Sequence, residues 1–392
     1  MELSLFCGPL DLAGEGVDAV LDNVVTRAGV SRLAPAVAYH AARDVLPHNP
    51  LRRVATGGAG VCFTPEPGLY RGLALRPRRS EFARGRDLLA ELTERAPAHG
   101  ATVDAWTVYL HDDGDDEARP GVVRNLFGDP YPHVLCPSDP GVRAYAVALT
   151  RDICRYPVGT VLAEAAHWLP FEHGHGHERH AVPLDATARL LLGLCFCAHC
   201  RATAGARGVP VADLLDAARS HVEACFAGRP PGPPPPPLAE PLDGYLEARC
   251  DTVSALLAEL AAEAARGGAG FRLLDLSAGL LGWADGRPRG EPGVHGAREL
   301  GVRPGDLTCP VTVTAYARDP GRVRLEVEAY RSRTRGPVGV ALRPMNPDCD
   351  SADNLAQKLR AAAADRVDLY HYGLSPLAAL DLIRRARAIA AS

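Results

Sequence analysis

The chain has 392 residues, a formal net charge of −4, 47% hydrophobic residues and 23% charged residues. This is an ordinary globular composition, and so slight a charge excess excludes a global field drawing the protein onto nucleic acid or a membrane surface. No run of about 18 apolar residues offers a bilayer span.

The N-terminal stretch MELSLFCGPLDLAGEG lacks a basic region followed by an apolar one, so the expected location is cytoplasmic. Eleven cysteines, an odd number, argue against a disulfide framework. The length suits two average domains or one large barrel.

Short β-rich runs recur along the chain, separated by longer helical stretches. In order they are APAVAYH, ending at His40; GAGVCFTPE, around Phe63; TVDAWTVYLHD, ending near His111; and GTVLAEAAH, which carries Glu164. LDATARLLLGL then reads as a helix, with Asp185 as its N-cap. The proline run at 228–241 reads as an exposed polyproline connector that is neither helix nor central strand. GYLEARCDTVSALLAELAAEAARGG is a long amphipathic helix closed by glycine.

Four more strands follow: FRLLDLSAG with Asp275, CPVTVTAYARDP with Tyr316, VGVALRPM with Arg343, and VDLYHYGL with Tyr370 and Tyr372. A capped helix, SADNLAQKLRAAAADR, precedes the last of them, and SPLAALDLIRRARAIAAS closes the chain. The stretch 322–332, RVRLEVEAYRS, alternates like a further strand. Eight strands, most followed by helix, predict an α/β fold: one (β/α)8 TIM barrel over 1–392, with an insertion and the proline-rich connector around 168–245. An open α/β sheet is the rival architecture.

LCFCAHC places Cys195, Cys197 and Cys200 within six residues. Cys197 and Cys200 share a face over one helical turn, and Cys195 joins them only if the chain bends. Thiolates in this pattern suit zinc, and a closed structural site wants a fourth ligand. Cys136 stands upstream in YPHVLCPSDPGVRAYAVALTRDI; His199 and Cys154 are alternatives. Buried thiols without metal are the plainer reading.

The two cysteine elements, in this order around a glutamate strand, resemble the zinc-cluster region of the family 42 β-galactosidases, which are retaining barrel glycosidases. The resemblance covers 136–200. It implies a structural zinc on Cys136, Cys195, Cys197 and Cys200, and an acid/base glutamate at the fourth strand end, here Glu164. The sequence departs from that pattern twice. Ala163 stands where the family has asparagine, and ALRPMNPDCD at the seventh strand has Arg343 and no nucleophilic glutamate.

Asp275 is the best second carboxylate the sequence offers, with a buried polar anchor as its plainer role. His40, Trp106, His111, Asn125, Trp168, Tyr316, Arg343 and Tyr372 lie at or near predicted strand ends and loops, as platforms and hydrogen-bonding groups for a sugar-like ligand.

Three functions follow as expectations. The first is a glycoside hydrolase-like enzyme with Glu164 as general acid/base. The second is a metal-dependent hydrolase or lyase using His173, His175 and His177 of HWLPFEHGHGHERH. The third is a barrel that binds carbohydrate without cleaving it. The partner in each case is a small-molecule or carbohydrate substrate, with no nucleic acid and no membrane; assembly into a homo-oligomer stays open.

Overall fold

The computed structural model describes residues 1–114, 116–173, 179–277 and 291–391. Eight parallel strands form the barrel: β1 Glu2–Cys7, β2 Arg32–Tyr39, β3 Ala105–Val108, β4 Thr160–Glu164, β5 Gly270–Asp275, β6 Val311–Thr314, β7 Val338–Leu342 and β8 Arg366–Leu369. Each pairs with its neighbours in chain order, and β1 closes the ring by pairing Ser4 with both Arg32 of β2 and Asp368 of β8. The expected TIM barrel is therefore present and the open sheet is not. Among the described residues, no helix is long and apolar enough to cross a membrane.

Two strand assignments need correction. The first barrel strand is ELSLFC at the N-terminus. It is buried on both faces, so it reads as an apolar run without the alternation that marks half-exposed strands. GAGVCFTPE is not a barrel strand: only Gly60–Val61 pair, antiparallel, with the end of β2.

The alternating stretch at 322–332 belongs to a helix, Pro320–Arg331. Asp319 caps it by accepting from the backbone of Gly321 and Arg322, and proline fills its first position. Its buried face is Val323, Glu326, Val327 and Tyr330, a helical spacing that the accidental alternation of valine and leucine obscures.

The proline run is only partly a connector. The long helix begins at Pro236 and runs to Arg266, with Pro241 inside it. Prolines in a first turn cost no hydrogen bond, since those N–H groups have no helical acceptor. Between β4 and β5 the chain also forms Ala186–Gly193, capped by Asp185, then Ala198–Ala206 and Val211–Phe226.

Side chains alternate between the barrel interior and the helix layer. Phe6, Ala34, Ala36, Trp106, Leu162, Leu274 and Ala341, from six strands, pack together as a cluster separate from the main core. Only the inside of a closed barrel brings six strands' side chains into contact. Nearer the N-terminal ends, Arg366 bonds Asp368 at 2.9 Å and Asp104 at 2.8 Å, and Arg32 also bonds Asp104 at 2.8 Å. Thr312 donates to Asp368 at 2.9 Å. These buried charges are mutually paired, the condition under which burial is tolerated. They fill the floor of the barrel and leave its C-terminal mouth for chemistry.

Candidate active site

Glu164 is the last residue of β4. Its register partner on β5 is Leu274, one of the interior cluster, so Glu164 also points inward. Its backbone is held by Tyr109 N–H donating to its carbonyl at 3.0 Å. The next residue, Ala165, sits at φ 49°, a left-handed conformation unusual for a residue with a side chain, so the chain turns sharply away just past the carboxylate.

The carboxyl group is buried, and its Oε2 accepts a 2.5 Å hydrogen bond from Trp106 Nε1. Burial raises its pKa from the ordinary carboxylate range to about 7, against the lowering pull of that hydrogen bond. A carboxyl poised there is half protonated near neutral pH, which suits a group that gives a proton and later takes one back.

Aromatic rings surround it. Trp106 lies 4.7 Å from Phe6 and 4.6 Å from Tyr39, ring centre to ring centre. Tyr370 is 5.9 Å from both Trp106 and Tyr316. Arg343, just past β7, lays its guanidinium 4.2 Å over the Tyr316 ring and pairs with Asp348 at 3.1 Å.

The sole lysine, Lys358, is fully buried and donates to the carbonyl of Asp348 at 2.6 Å, with the carbonyls of Ala317 and Arg343 at 3.4 and 3.5 Å. It ties the loops after β6 and β7 together behind Arg343. Tyr39 and Lys358 escaped the sequence reading. Tyr39 follows the expected strand alternation and was findable; a single buried lysine has no sequence signature.

Asp275 does not share this well. It follows inward-facing Leu274, so it faces the helix layer, where it is fully buried and accepts from Ser277 N at 3.0 Å and Ser277 Oγ at 2.9 Å. Ser277 Oγ in turn lies 3.3 Å from the hydroxyl of Tyr330 on Pro320–Arg331. This is the bonding of a polar anchor. Asp275→Asn should lower stability by about 1–3 kcal/mol, the usual effect of disturbing a buried hydrogen bond. Activity per folded molecule should be unchanged, checked by thermal melts alongside an assay normalised to folded protein.

Of the other expected ligand-binding residues, Trp106, Tyr316 and Arg343 line the well, and His40 and His111 lie beside it. His40 stacks between Tyr39 at 4.2 Å and His111 at 4.3 Å, with His173 5.3 Å and His133 6.4 Å from His111. Burial pushes His111 down to about 2 and His173 to about 4, so both rings are neutral at ordinary pH. No three of these histidines bring ring nitrogens within 4.8 Å of one another among the described residues. His175 and His177 lie outside the described residues.

Asn125, Trp168 and Tyr372 are elsewhere. Asn125 holds a hairpin turn by accepting from Phe127 N and Asp129 N at 2.9 and 3.0 Å. Trp168 packs beneath Arg249 of the long helix, 4.1 Å from ring centre to guanidinium. Tyr372 turns to the helix layer and donates to Glu15 at 2.6 Å. Each lies a residue or a loop away from an inward position, and strand-end proximity alone does not say which way a side chain turns.

The four cysteines converge. Cys136 follows a hairpin strand, Pro130–Leu135, while Cys197 caps Ala198–Ala206 and Cys200 lies in its first turn. The sulfurs of Cys136, Cys195, Cys197 and Cys200 all lie within 4.8 Å of one another, with Cys136 3.8 Å from Cys197 and 3.4 Å from Cys200. None is in a disulfide. A tetrahedral zinc with Zn–S bonds of about 2.3 Å requires sulfurs about 3.8 Å apart, so the donor set has the right chemistry and size. His199 instead approaches Asp139, at 3.6 Å, and Cys154 is outside the group.

A second group, Asp185, His221 and Cys225, is similarly close. There Asp185 already accepts from Ala188 N, Gly232 N and His221, so its bonding is complete without a metal.

No protein-family model and no curated protein sequence matches the chain. Solved structures do. A β-galactosidase from the psychrophilic Marinomonas ef1 aligns with TM-score 0.56 at 9% identity, covering 99% of this chain and 59% of that one. The catalytic domain of the β-amylase from Paenibacillus polymyxa aligns with TM-score 0.50 at 9% identity, covering 97% and 94%. The chain thus spans about three fifths of that β-galactosidase's length. At such identity the likeness speaks for fold alone, and the fold is a TIM barrel.

Proposed function

We propose that the protein is a barrel enzyme acting on a glycoside or a related polyhydroxylated compound, with Glu164 as general acid/base. The observation that carries this reading is the buried inward carboxyl at the end of β4, raised to about 7 and bonded to Trp106. Protonation of the leaving oxygen needs such an acid. Tyr39, Trp106, Tyr316 and Tyr370 supply flat apolar faces with hydroxyl and indole donors, which suit the faces and rims of sugar rings. Zinc on the four cysteines would supply structure, holding the loop after β3 to the insertion; it takes no part in the proton transfers.

One observation favours a second reading, a barrel that binds carbohydrate without turning it over. Of the eight strands only β4 and β5 end in a carboxylate, and that of β5 faces outward. β7 is followed by Arg343. A two-carboxylate mechanism needs a partner about 5–9.5 Å across the bond to be broken.

A panel of α- and β-linked aryl glycosides separates the two. The enzyme reading expects turnover of at least one member; binding by calorimetry with no turnover of any member would support the binder.

A further inference from the structure

Arg249 sits in the middle of Pro236–Arg266 and is 3% exposed. Its one hydrogen bond among the described residues is from Nη2 to the carbonyl of Glu299, at 3.0 Å. Its Nε and Nη1 are buried with no hydrogen-bond partner among the described residues. The Trp168 ring covers one face of the guanidinium.

A guanidinium does not give up its proton, and an uncompensated buried cation is among the most unfavourable arrangements a fold can hold. Something nearby must be negative. Among the described residues, the ionisable groups that bear most on Arg249 are Cys200, Tyr245, Cys195 and Cys136. Arg249 and Cys200 line the same small void, together with Trp168 and Tyr245. Tyr245, one turn earlier on the same helix, donates to the carbonyl of Cys195 at 2.6 Å. The long helix thus presses a hydrogen bond and a positive charge onto the cysteine cluster from one side.

Four thiolates around a divalent zinc carry about two net negative charges, which need a cation as much as Arg249 needs an anion. We infer that Arg249 is the buried counter-charge of a four-thiolate zinc centre on Cys136, Cys195, Cys197 and Cys200, a positioning residue whose charge offsets that of the zinc-bound sulfurs across the void they share. The inference rests on the zinc reading above.

The test is competition for zinc between a colorimetric chelator and the purified wild type, Arg249→Met and Arg249→Lys. Partners just outside a metal's ligands are typically worth about 10–100-fold in affinity. Arg249→Met, which keeps bulk and loses charge, should weaken zinc binding by that factor. Arg249→Lys keeps charge while losing the guanidinium's stacking shape, and should stay within about threefold of wild type if charge is what matters.

Zinc-bearing wild type with an Arg249→Met variant of unchanged affinity would overturn the inference and leave the zinc reading standing. Should Arg249→Met not fold, the lysine variant decides: a loss of about tenfold or more there means packing, not charge, was the contribution. Wild type purified from zinc-replete medium without zinc would remove the zinc reading itself, and this inference with it.

Discussion

Glu164→Gln lowers turnover of a cleaved glycoside with a poor leaving group by about 10²–10⁴-fold, the usual worth of a positioned acid/base. Glutamine keeps the shape and still accepts from Trp106 through its amide oxygen, so the aromatic well and ligand affinity survive. What is lost is one proton. The loss should therefore depend on the leaving group: large for a sugar or alcohol, which must be protonated as it departs, and small for a nitrophenol, which need not be. Steady-state kinetics on such a pair, with binding measured separately, checks this. Stability should change little or rise slightly, since a buried ionisable carboxyl is replaced by a neutral amide. A variant that unfolds while keeping its activity per folded molecule would make Glu164 structural.

If the four cysteines hold the proposed zinc, Cys197→Ser and Cys200→Ser should each lose it and destabilise the protein severely. Structural zinc in small domains binds with about 10–16 kcal/mol of apparent free energy, comparable to the net stability of a whole domain, about 5–15 kcal/mol. A few kcal/mol lost would lower the unfolding midpoint of a chain this long by about 3–6 °C. The cluster ties residues far apart in sequence, Cys136 to Cys200, so its loss frees the hairpin after β3 from the helices before β5. Elemental analysis and calorimetric melts measure both effects. Less than about half an equivalent of zinc in wild type from replete medium would count against it.

The parts of this fold legible in the sequence were those with local causes. Asp185 and Ser351 were readable as caps because a short acceptor before an apolar-periodic run has one physical use, and both accept the expected backbone N–H, from Ala188 and Asn354. Glu164 was readable because it ends an apolar strand. The cysteines were readable because spacing limits which thiols can meet.

What escaped was set by the tertiary fold. ELSLFC becomes a barrel strand through pairing with residues 366–369, contacts made by the other end of the chain. The helix at 320–331 hid behind an alternation that its burial contradicts. Asp275 stands beside an inward position, and one residue's difference along a strand reverses the side chain, while Trp168 lies past the turn that ends β4. Arg249 carried no signal at all, since its meaning comes from what surrounds it.

The measurement that bears most directly on the central claim is the ionisation of Glu164 itself. Infrared difference spectra of wild type against Glu164→Gln, taken across pH 4 to 9, isolate the carbonyl band of that one protonated carboxyl. That band should persist to neutral pH and disappear at about 7, with activity on a poor leaving group falling over the same range as the acid loses its proton. A band already gone by about pH 5, the ordinary range of a solvated glutamate, would contradict it: Glu164 would then be a carboxylate at working pH and no acid for a glycosidic oxygen.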